Sequence, residues 1–232
     1  LLSYGNTYPA VAVPFGMNSW TPVTGEPGSG WGYTYDGEKI SGIKQTHQPS
    51  PWMNDYAAFA LMAETGPVKI KQQERGSWFS HKAEVARPYS YKVYLADYDV
   101  TAEVAPTERA AQFRFTFPQS DDAHILLDGL AGGSMVKVDV KNRRITGYVR
   151  NNNGGVPDNF HNYFVAEFDR DFTLARTWAG DNQPTNELAR EGDHVGAVLS
   201  FKTKKGDKVH VRVASSFISP EQALLNLRRS LR

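Results

Sequence analysis

The chain has 232 residues and is almost electrically balanced, with 26 Lys and Arg against 25 Asp and Glu and a formal net charge of +1. This balance, without clustered Lys and Arg, argues against a protein that binds nucleic acid or a membrane surface electrostatically. The absence of cysteine excludes disulfides and cysteine-based zinc sites, and it leaves the cellular compartment open. No apolar stretch reaches the about eighteen residues of a membrane-spanning helix, so no span is predicted.

The segment from residue 30 to 56 reads GWGYTYDGEKISGIKQTHQPSPWMNDY and has little apolar periodicity. A strand would alternate, and a helix would repeat every three to four residues. Only residues 38–44 are typical of a strand or turn. The rest combines aromatic rings, a histidine, prolines and an Asn-Asp pair in long loops. Such loops on a rigid scaffold commonly carry binding sites, so we predict a site here.

After residue 56 the pattern becomes that of short strands separated by turns. Aromatic and branched residues predict strands at 57–64, 91–98, 100–107, 109–117, 124–130, 135–140, 144–150, 161–168, 172–178, 195–201 and 208–217. Phe113, Phe115 and Phe117 alternate and should lie on one face. Turn signals such as NNNGG and KKGDK separate the strands, and we find no internal repeat. The sequence therefore predicts an all-β fold, a large antiparallel β-sandwich in one domain.

The end of the sequence, SPEQALLNLRRSLR, predicts a helix. Ser219 is a good N-cap, Pro220 suits the first helical position, and Gln222 completes a capping box. Ala223, Leu224, Leu227 and Leu231 share one apolar face. Because nothing later in the chain would cover this face, we expect more protein to follow.

Four segments carry a resemblance to a known family: 5–22 (GNTYPAVAVPFGMNSWTP), 32–47 (GYTYDGEKISGIKQTH), 79–118, and 219–227 (SPEQALLNL). In order and over nearly the whole chain, they resemble the N-terminal domain of glycoside hydrolase family 92, a family of bacterial exo-acting α-mannosidases. The resemblance implies a supersandwich-like domain over 1–218. It also implies that 219–232 begins a helical linker to a C-terminal (α/α)6 domain, which the chain lacks.

The resemblance further implies calcium-dependent hydrolysis of terminal α-mannosides with inversion at the anomeric carbon. An inverting mechanism needs two carboxyl groups spaced for a bound water, and in the family these groups and the calcium ligands come mainly from the C-terminal domain. This chain is therefore expected to supply substrate-pocket residues at the domain junction, but no catalytic residue and no metal ligand. The implied partners are an α-mannoside glycan and the C-terminal domain, and the implied location is periplasmic, secreted or cell-surface.

Three aromatic residues are candidates for contact with substrate: Trp31, Tyr33 and Trp52. A ring can stack on a pyranose face and exclude water. Core packing is the alternative, and it is at least as well supported for Tyr33 and Tyr35, whereas the glycines on both sides of Trp31 favour an exposed loop. Family members continue after the matched TH with a Gly/Ser-rich loop. Here QPSPWMNDY follows, so Trp52 marks a difference and subsite preference is not implied.

His47, Asn54 and Asp55 are the polar candidates for substrate binding. A neutral His47 could bond a sugar hydroxyl, or it could bond a backbone carbonyl and hold the loop. Asn54 and Asp55 could exchange hydrogen bonds with hydroxyls, or form an Asx turn before the next strand, and the turn is slightly favoured.

A self-contained active site is not expected in this chain. The acidic pairs lie near strand ends or turns, and the six histidines show no spacing of a zinc site. There is no nucleophile elbow, phosphate-binding loop or EF-hand. Besides the glycosidase-domain interpretation, two alternatives stay open: a lectin-like module that binds glycans without hydrolysis, and a purely structural sandwich.

Overall fold

The computed structural model describes residues 8–25, 32–47, 55–152 and 156–231. The first eight strands are β1 (Ser19–Pro22), β2 (Lys39–Ile40), β3 (Ile43–Thr46), β4 (Ala60–Thr65), β5 (Ser77–Trp78), β6 (Val85–Arg87), β7 (Ser90–Leu95) and β8 (Val100–Pro106). The others are β9 (Ala110–Thr116), β10 (Ser120–Asp128), β11 (Ser134–Asp139), β12 (Arg144–Val149), β13 (Asn162–Phe168), β14 (Leu174–Ala179), β15 (Ala189–Gly192), β16 (Val195–Thr203) and β17 (Lys208–Ser216). The helices are α1 (Gln72–Arg75) and α2 (Pro220–Ser230).

The strands form two large antiparallel sheets, which confirms the predicted β-sandwich. One sheet has the strand order β1-β3-β4-β10-β16-β14, and the other has the order β15-β11-β12-β13-β17-β9-β8-β7-β6. A small third sheet pairs β2 with β5. Among the described residues no helix is long and apolar enough to cross a membrane.

The core lies between the two large sheets and combines aliphatic side chains with aromatic rings. As predicted, Phe113, Phe115 and Phe117 share a buried face because side chains alternate along a strand. Trp20 of β1 packs edge-on against Phe113 of β9, with ring centroids 4.9 Å apart, and so joins the two sheets. Such edge-to-face pairs contribute about 0.5–1.5 kcal/mol beyond their buried area.

Helix α2 covers the outer face of the nine-stranded sheet. Ser219 caps it, since its Oγ accepts the Gln222 N–H at 3.2 Å. The Gln222 side chain donates instead to Asn226, so the reciprocal half of the predicted capping box is not seen. Leu227 packs on Val165 of β13. Earlier strands of the sandwich therefore cover part of the apolar face of this helix, and the expected continuation of the protein stays a prediction.

A buried ion pair anchors α1 to the six-stranded sheet. Arg75 Nη2 lies 2.6 Å from Asp128 Oδ2, and both side chains are at most 2% exposed. His194 Nε2 lies 2.7 Å from the other oxygen of Asp128. Burial alone would raise the pKa of Asp128, but the Arg75 guanidinium and His194 hold that pKa well below its usual range. Asp128 is therefore a charged partner that fixes the segment around α1.

Candidate functional site

Asp55 joins the two ends of the segment 48–54. Its Oδ1 accepts the backbone N–H of His47 at 3.0 Å and that of Tyr56 at 2.9 Å. Its Oδ2 lies 2.9 Å from Lys44 Nζ, and the two side chains are 1% and 2% exposed. A buried carboxylate is tolerated when it is paired and hydrogen-bonded, and Asp55 satisfies both conditions. It is thus a structural clamp at the end of β3.

Gly32 brings the neighbourhood of Tyr33 against the same ion pair. A Cβ at position 32 would lie 2.9 Å from Lys44 Cε and 3.0 Å from Nζ, so only glycine fits without moving the ammonium. Tyr33 is half-buried. Burial, with Glu84 and Tyr35 adding to it, raises the pKa of Tyr33 to about 12. Its hydroxyl is therefore a protonated hydrogen-bond donor at neutral pH.

The His47 ring is held in one neutral tautomer. Nδ1 lies 3.0 Å from the carbonyl oxygen of Tyr56, and because a carbonyl can only accept, Nδ1 carries the proton. Burial lowers the pKa of His47 despite that bond, which favours the neutral form. Nε2 is then an acceptor, and it is buried without a hydrogen-bond partner within the described part of the chain. An unmatched buried acceptor is costly and marks the ring as a ligand-binding candidate.

Four rings from separate segments form an aromatic wall, which we define as His47, Tyr56, Phe160 and Phe217. His47 stacks on Tyr56 with centroids 5.1 Å apart and an interplanar angle of 18°. Phe217 lies 5.3 Å from His47, and Phe160 contacts both Phe217 and Tyr56. Phe217 is 37% exposed, so the wall reaches the surface. An apolar wall beside a buried acceptor is the arrangement found in small-molecule sites.

A buried polar network lies behind the wall and ties β3 to α2. Gln45 Nε2 donates to Asn18 Oδ1 at 2.8 Å and lies 2.9 Å from Ser215 Oγ. Asn162 donates to Gln45 Oε1 at 2.7 Å, and Asn226 of α2 donates to the backbone carbonyl of Ser215 at 2.8 Å. Hydrogen-bonded networks of this kind rigidify a core, although Asn18 Nδ2 and Asn162 Oδ1 have no hydrogen-bond partner among the described residues. The strand that ends at His47 is therefore hydrogen-bonded through to the helix.

Of the six predicted binding residues, the structure describes three. Asp55 bonds both the backbone of His47 and the ammonium of Lys44. Gly32 also approaches Lys44, whereas the side chain of Tyr33 lies near Glu84 and Tyr91. Trp31, Trp52 and Asn54 lie outside the described residues, and their assignment stays a prediction. For Asp55 the contacts are internal and extend beyond a local turn. For His47, the predicted alternative of a bond to a backbone carbonyl is observed at Nδ1. Nε2 stays available to bind a ligand.

Several residues of this region were not found from the sequence. Lys44 lies in the polar run Lys44–Thr46, which reads as an exposed strand end but is buried. The hydroxyl of Tyr8 hydrogen-bonds Thr46 close to Asp55, and burial raises the pKa of Tyr8. Phe160 and Phe217 join the wall only through tertiary packing. The sequence offered one sign of this arrangement, which was a lysine next to a predicted loop of aromatic residues.

The described residues do not fit a calcium site. Nowhere in the described ranges do three His, Asp or Glu side chains come together in a way that could hold a metal ion. Calcium takes six to eight oxygen ligands, and both oxygens of Asp55 are already bound by Lys44 and backbone amides. We therefore assign no metal-dependent step to these residues.

The sequence matches the glycosyl hydrolase family 92 N-terminal domain over residues 2–216, so the chain belongs to this family. The resemblance seen in the sequence is thereby confirmed. A solved structure of an inverting mannosidase of family GH92 from Bacteroides thetaiotaomicron has 45% sequence identity and a TM-score of 0.94. The match covers 98% of this chain and 31% of that protein.

Two further relatives extend this picture. A GH92 α-mannosidase from the same organism, solved in complex with mannoimidazole, is 30% identical with a TM-score of 0.85, over 97% of this chain and 32% of that one. An uncharacterized secreted glycosidase from Arthroderma benhamiae is 24% identical over 125 residues, which is 50% of this chain and 16% of that protein. The chain thus spans about a third of the length of these solved relatives.

Proposed function

We propose that this chain is the sandwich domain of an inverting exo-α-mannosidase and forms part of its substrate pocket. The observation that carries the proposal is the 45% identity, at a TM-score of 0.94, to part of a GH92 inverting mannosidase. In this proposal residues 1–218 form the sandwich and 219–232 begin the linker to a C-terminal (α/α)6 domain. The secreted fungal relative supports export of the protein to the periplasm, the cell surface or the medium.

The chemistry that this chain contributes is binding and exclusion of water. Nε2 of His47 accepts a hydrogen bond from a sugar hydroxyl, because Nδ1 is already committed to a carbonyl. The protonated hydroxyl of Tyr33 donates to a sugar oxygen. Trp31 and Trp52 stack on sugar faces, and Asn54 bonds a hydroxyl. Asp55 takes a positioning role, since its Oδ1 bonds the backbone of His47 and of Tyr56.

Proton transfer and calcium binding are assigned to the C-terminal domain. The carboxylates described near this site are occupied by internal partners, as Asp55 shows. An inverting glycosidase needs one carboxylic acid and one carboxylate that activates water. Calcium, when bound by that domain, would contact sugar hydroxyls and assist ring distortion. We also propose that the protein is bacterial, as its family implies.

The test is release of mannose from α-mannobioses of different linkage by the full-length protein. We expect release with calcium and its loss after a chelator is added. Release in neither condition would overturn the mannosidase proposal and leave the lectin-like alternative, which retains glycan binding, or the purely structural one.

A His47 variant separates a pocket role from a structural one. His47→Ala should lower kcat/KM about two- to tenfold, as expected for loss of one hydrogen bond of about 0.5–1.5 kcal/mol. His210→Ala is the matched control, since His210 lies on another face and bonds Asp169 at 2.6 Å. Thermal unfolding of both variants checks that the fold persists. An unchanged kcat/KM for a folded His47→Ala protein would favour a purely structural domain.

A further inference from the structure

Tyr35 presents an exposed aromatic ring whose position is restrained. The side chain is 70% exposed. Its ring lies parallel to that of His81, with centroids 4.1 Å apart and an interplanar angle of 9°. Since His81 covers one face of the ring, the exposed area belongs to the opposite face and the edge. A rigid apolar face open to solvent is unusual for a single surface tyrosine and suggests a contact surface.

The turn that carries Tyr35 is fastened on both sides. Gly37 N–H donates to the carbonyl of Thr34 at 3.1 Å, which closes the turn. Thr24 Oγ1 accepts the backbone N–H of Thr34 at 2.7 Å. A Cβ at position 37 would lie 2.5 Å from Thr24 Cβ, so the turn packs directly on that side chain. The backbone around Tyr35 is therefore ordered before any ligand binds.

His81 is equally restrained from below. Nδ1 lies 2.6 Å from Glu84 Oε1, and Nε2 lies 2.7 Å from the backbone carbonyl oxygen of Tyr35. Both partners can accept a hydrogen bond, so this geometry favours a proton on each ring nitrogen. Burial alone would lower the pKa of His81, but the bonds to Glu84 and the Tyr35 carbonyl raise it. The second oxygen of Glu84 accepts the Tyr91 hydroxyl at 2.6 Å.

From this geometry we infer that the free face of Tyr35 is a distal subsite that stacks on one pyranose ring of a longer α-mannoside chain. The inference rests on the proposed function and deepens it, because it states that the pocket reads glycan length. Sugar rings present C–H groups to aromatic faces, and a ring already held in place loses little entropy on binding. Residues 32 and 35 are three positions apart, so Tyr35 lies within about 10 Å of the Gly32–Lys44 contact.

The experiment measures binding of two thio-linked glycans, which resist hydrolysis, to the full-length protein by calorimetry. The probes are S-linked α-mannobiose and S-linked α-mannotetraose. Tyr35→Ala should weaken binding of the tetraose about three- to tenfold and leave that of the biose unchanged. Tyr35→Phe keeps the ring and should bind like the wild type. The backbone carbonyl that holds His81 is present in every variant.

Tyr89→Ala is the matched control, since Tyr89 is 57% exposed and no other aromatic ring stacks on it among the described residues. Its hydroxyl accepts a hydrogen bond from Arg87 at 3.4 Å. We expect no change in tetraose binding for this variant. Equal losses for Tyr35→Ala and Tyr89→Ala, or no loss for Tyr35→Ala, would overturn the distal subsite. Failure of the mannosidase proposal would appear separately, as absent release of mannose from ordinary mannobiose while the thio-linked probes still bind.

Discussion

Asp55 holds the described part of the candidate site together. Its carboxylate holds two backbone amides and the Lys44 ammonium, all away from solvent. Removing two charges from water is costly, and only good geometry offsets the cost. The pair therefore adds little net stability, yet loss of either partner leaves an uncompensated buried charge.

Replacing Lys44 tests this dependence. Lys44→Met keeps the aliphatic stem and removes the charge, so the free energy of unfolding should fall by about 3–5 kcal/mol. Chemical denaturation followed by tryptophan fluorescence measures the change. Lys202→Met is the control because the Lys202–Asp121 pair is exposed, and it should cost about 0–1 kcal/mol. Similar losses for both variants would show that burial of the Lys44 pair has no special cost.

At this scale residue types marked Tyr33, His47 and Asp55 as candidates. The structure brings His47 and Asp55 together beside Lys44, whereas Tyr33 lies near Glu84, and a binding role for any of them stays a prediction. The partner of Asp55 could not be predicted, because burial of Lys44 depends on the approach of Gly32 and of β4. Whether Nε2 of His47 bonds a sugar stays a prediction.

Among the elements, eleven strands after residue 56 match predicted segments, several because their side chains alternate, whereas β5, β6 and β15 were not predicted. Phe113 and Phe115 in β9 illustrate this, with polar residues between them facing outward. The strands β1 and β3 were not predicted as such. All four residues of β3 are buried, three of them polar, so the period of two that identifies a half-exposed strand is missing. Tertiary hydrogen bonds, such as those of Gln45, make this strand possible.

Helix α2 offers the clearest test at the scale of an element. Leu227 is 1% exposed and packs on β13 and β17, so Leu227→Ala should lower the free energy of unfolding by about 2–5 kcal/mol. Leu225, on the same helix, is 37% exposed, and Leu225→Ala should change it by only about 0.5 kcal/mol. Denaturant titration of both variants decides the point. Equal effects would mean that the helix does not dock on the sheet in solution.

Across the whole molecule, buried ionisable groups couple stability to pH. Glu64 of β4 is fully buried, and one of its oxygens accepts only the backbone N–H of Lys69, at 3.0 Å. Burial raises the pKa of Glu64 to about 7, against the opposing pull of Lys69 and Arg75. The folded protein therefore binds this proton more tightly than the unfolded chain. By linkage, the contribution of Glu64 to stability falls as pH rises from its ordinary pKa toward 7.

Glu64→Gln mimics the protonated carboxyl and should remove this dependence. We expect the variant to be more stable than the wild type at pH 8, by on the order of 2–3 kcal/mol, and nearly equal to it at pH 4.5. Denaturation at a series of pH values gives the difference. His47, His124 and His194 titrate in both proteins, so their contributions cancel. A difference that does not change with pH would show that Glu64 is not protonated in the folded state.

The missing side chain at Gly32 limits how such a pocket can diversify. Any larger residue there would have to shift the ammonium that neutralises Asp55, and so would disturb the carboxylate that bonds the backbone of His47 and Tyr56. Substitutions at Gly32 and at Lys44 of β3 are therefore expected to be coupled in evolution. A change of residue at position 32 would require an accompanying change at position 44 or 55.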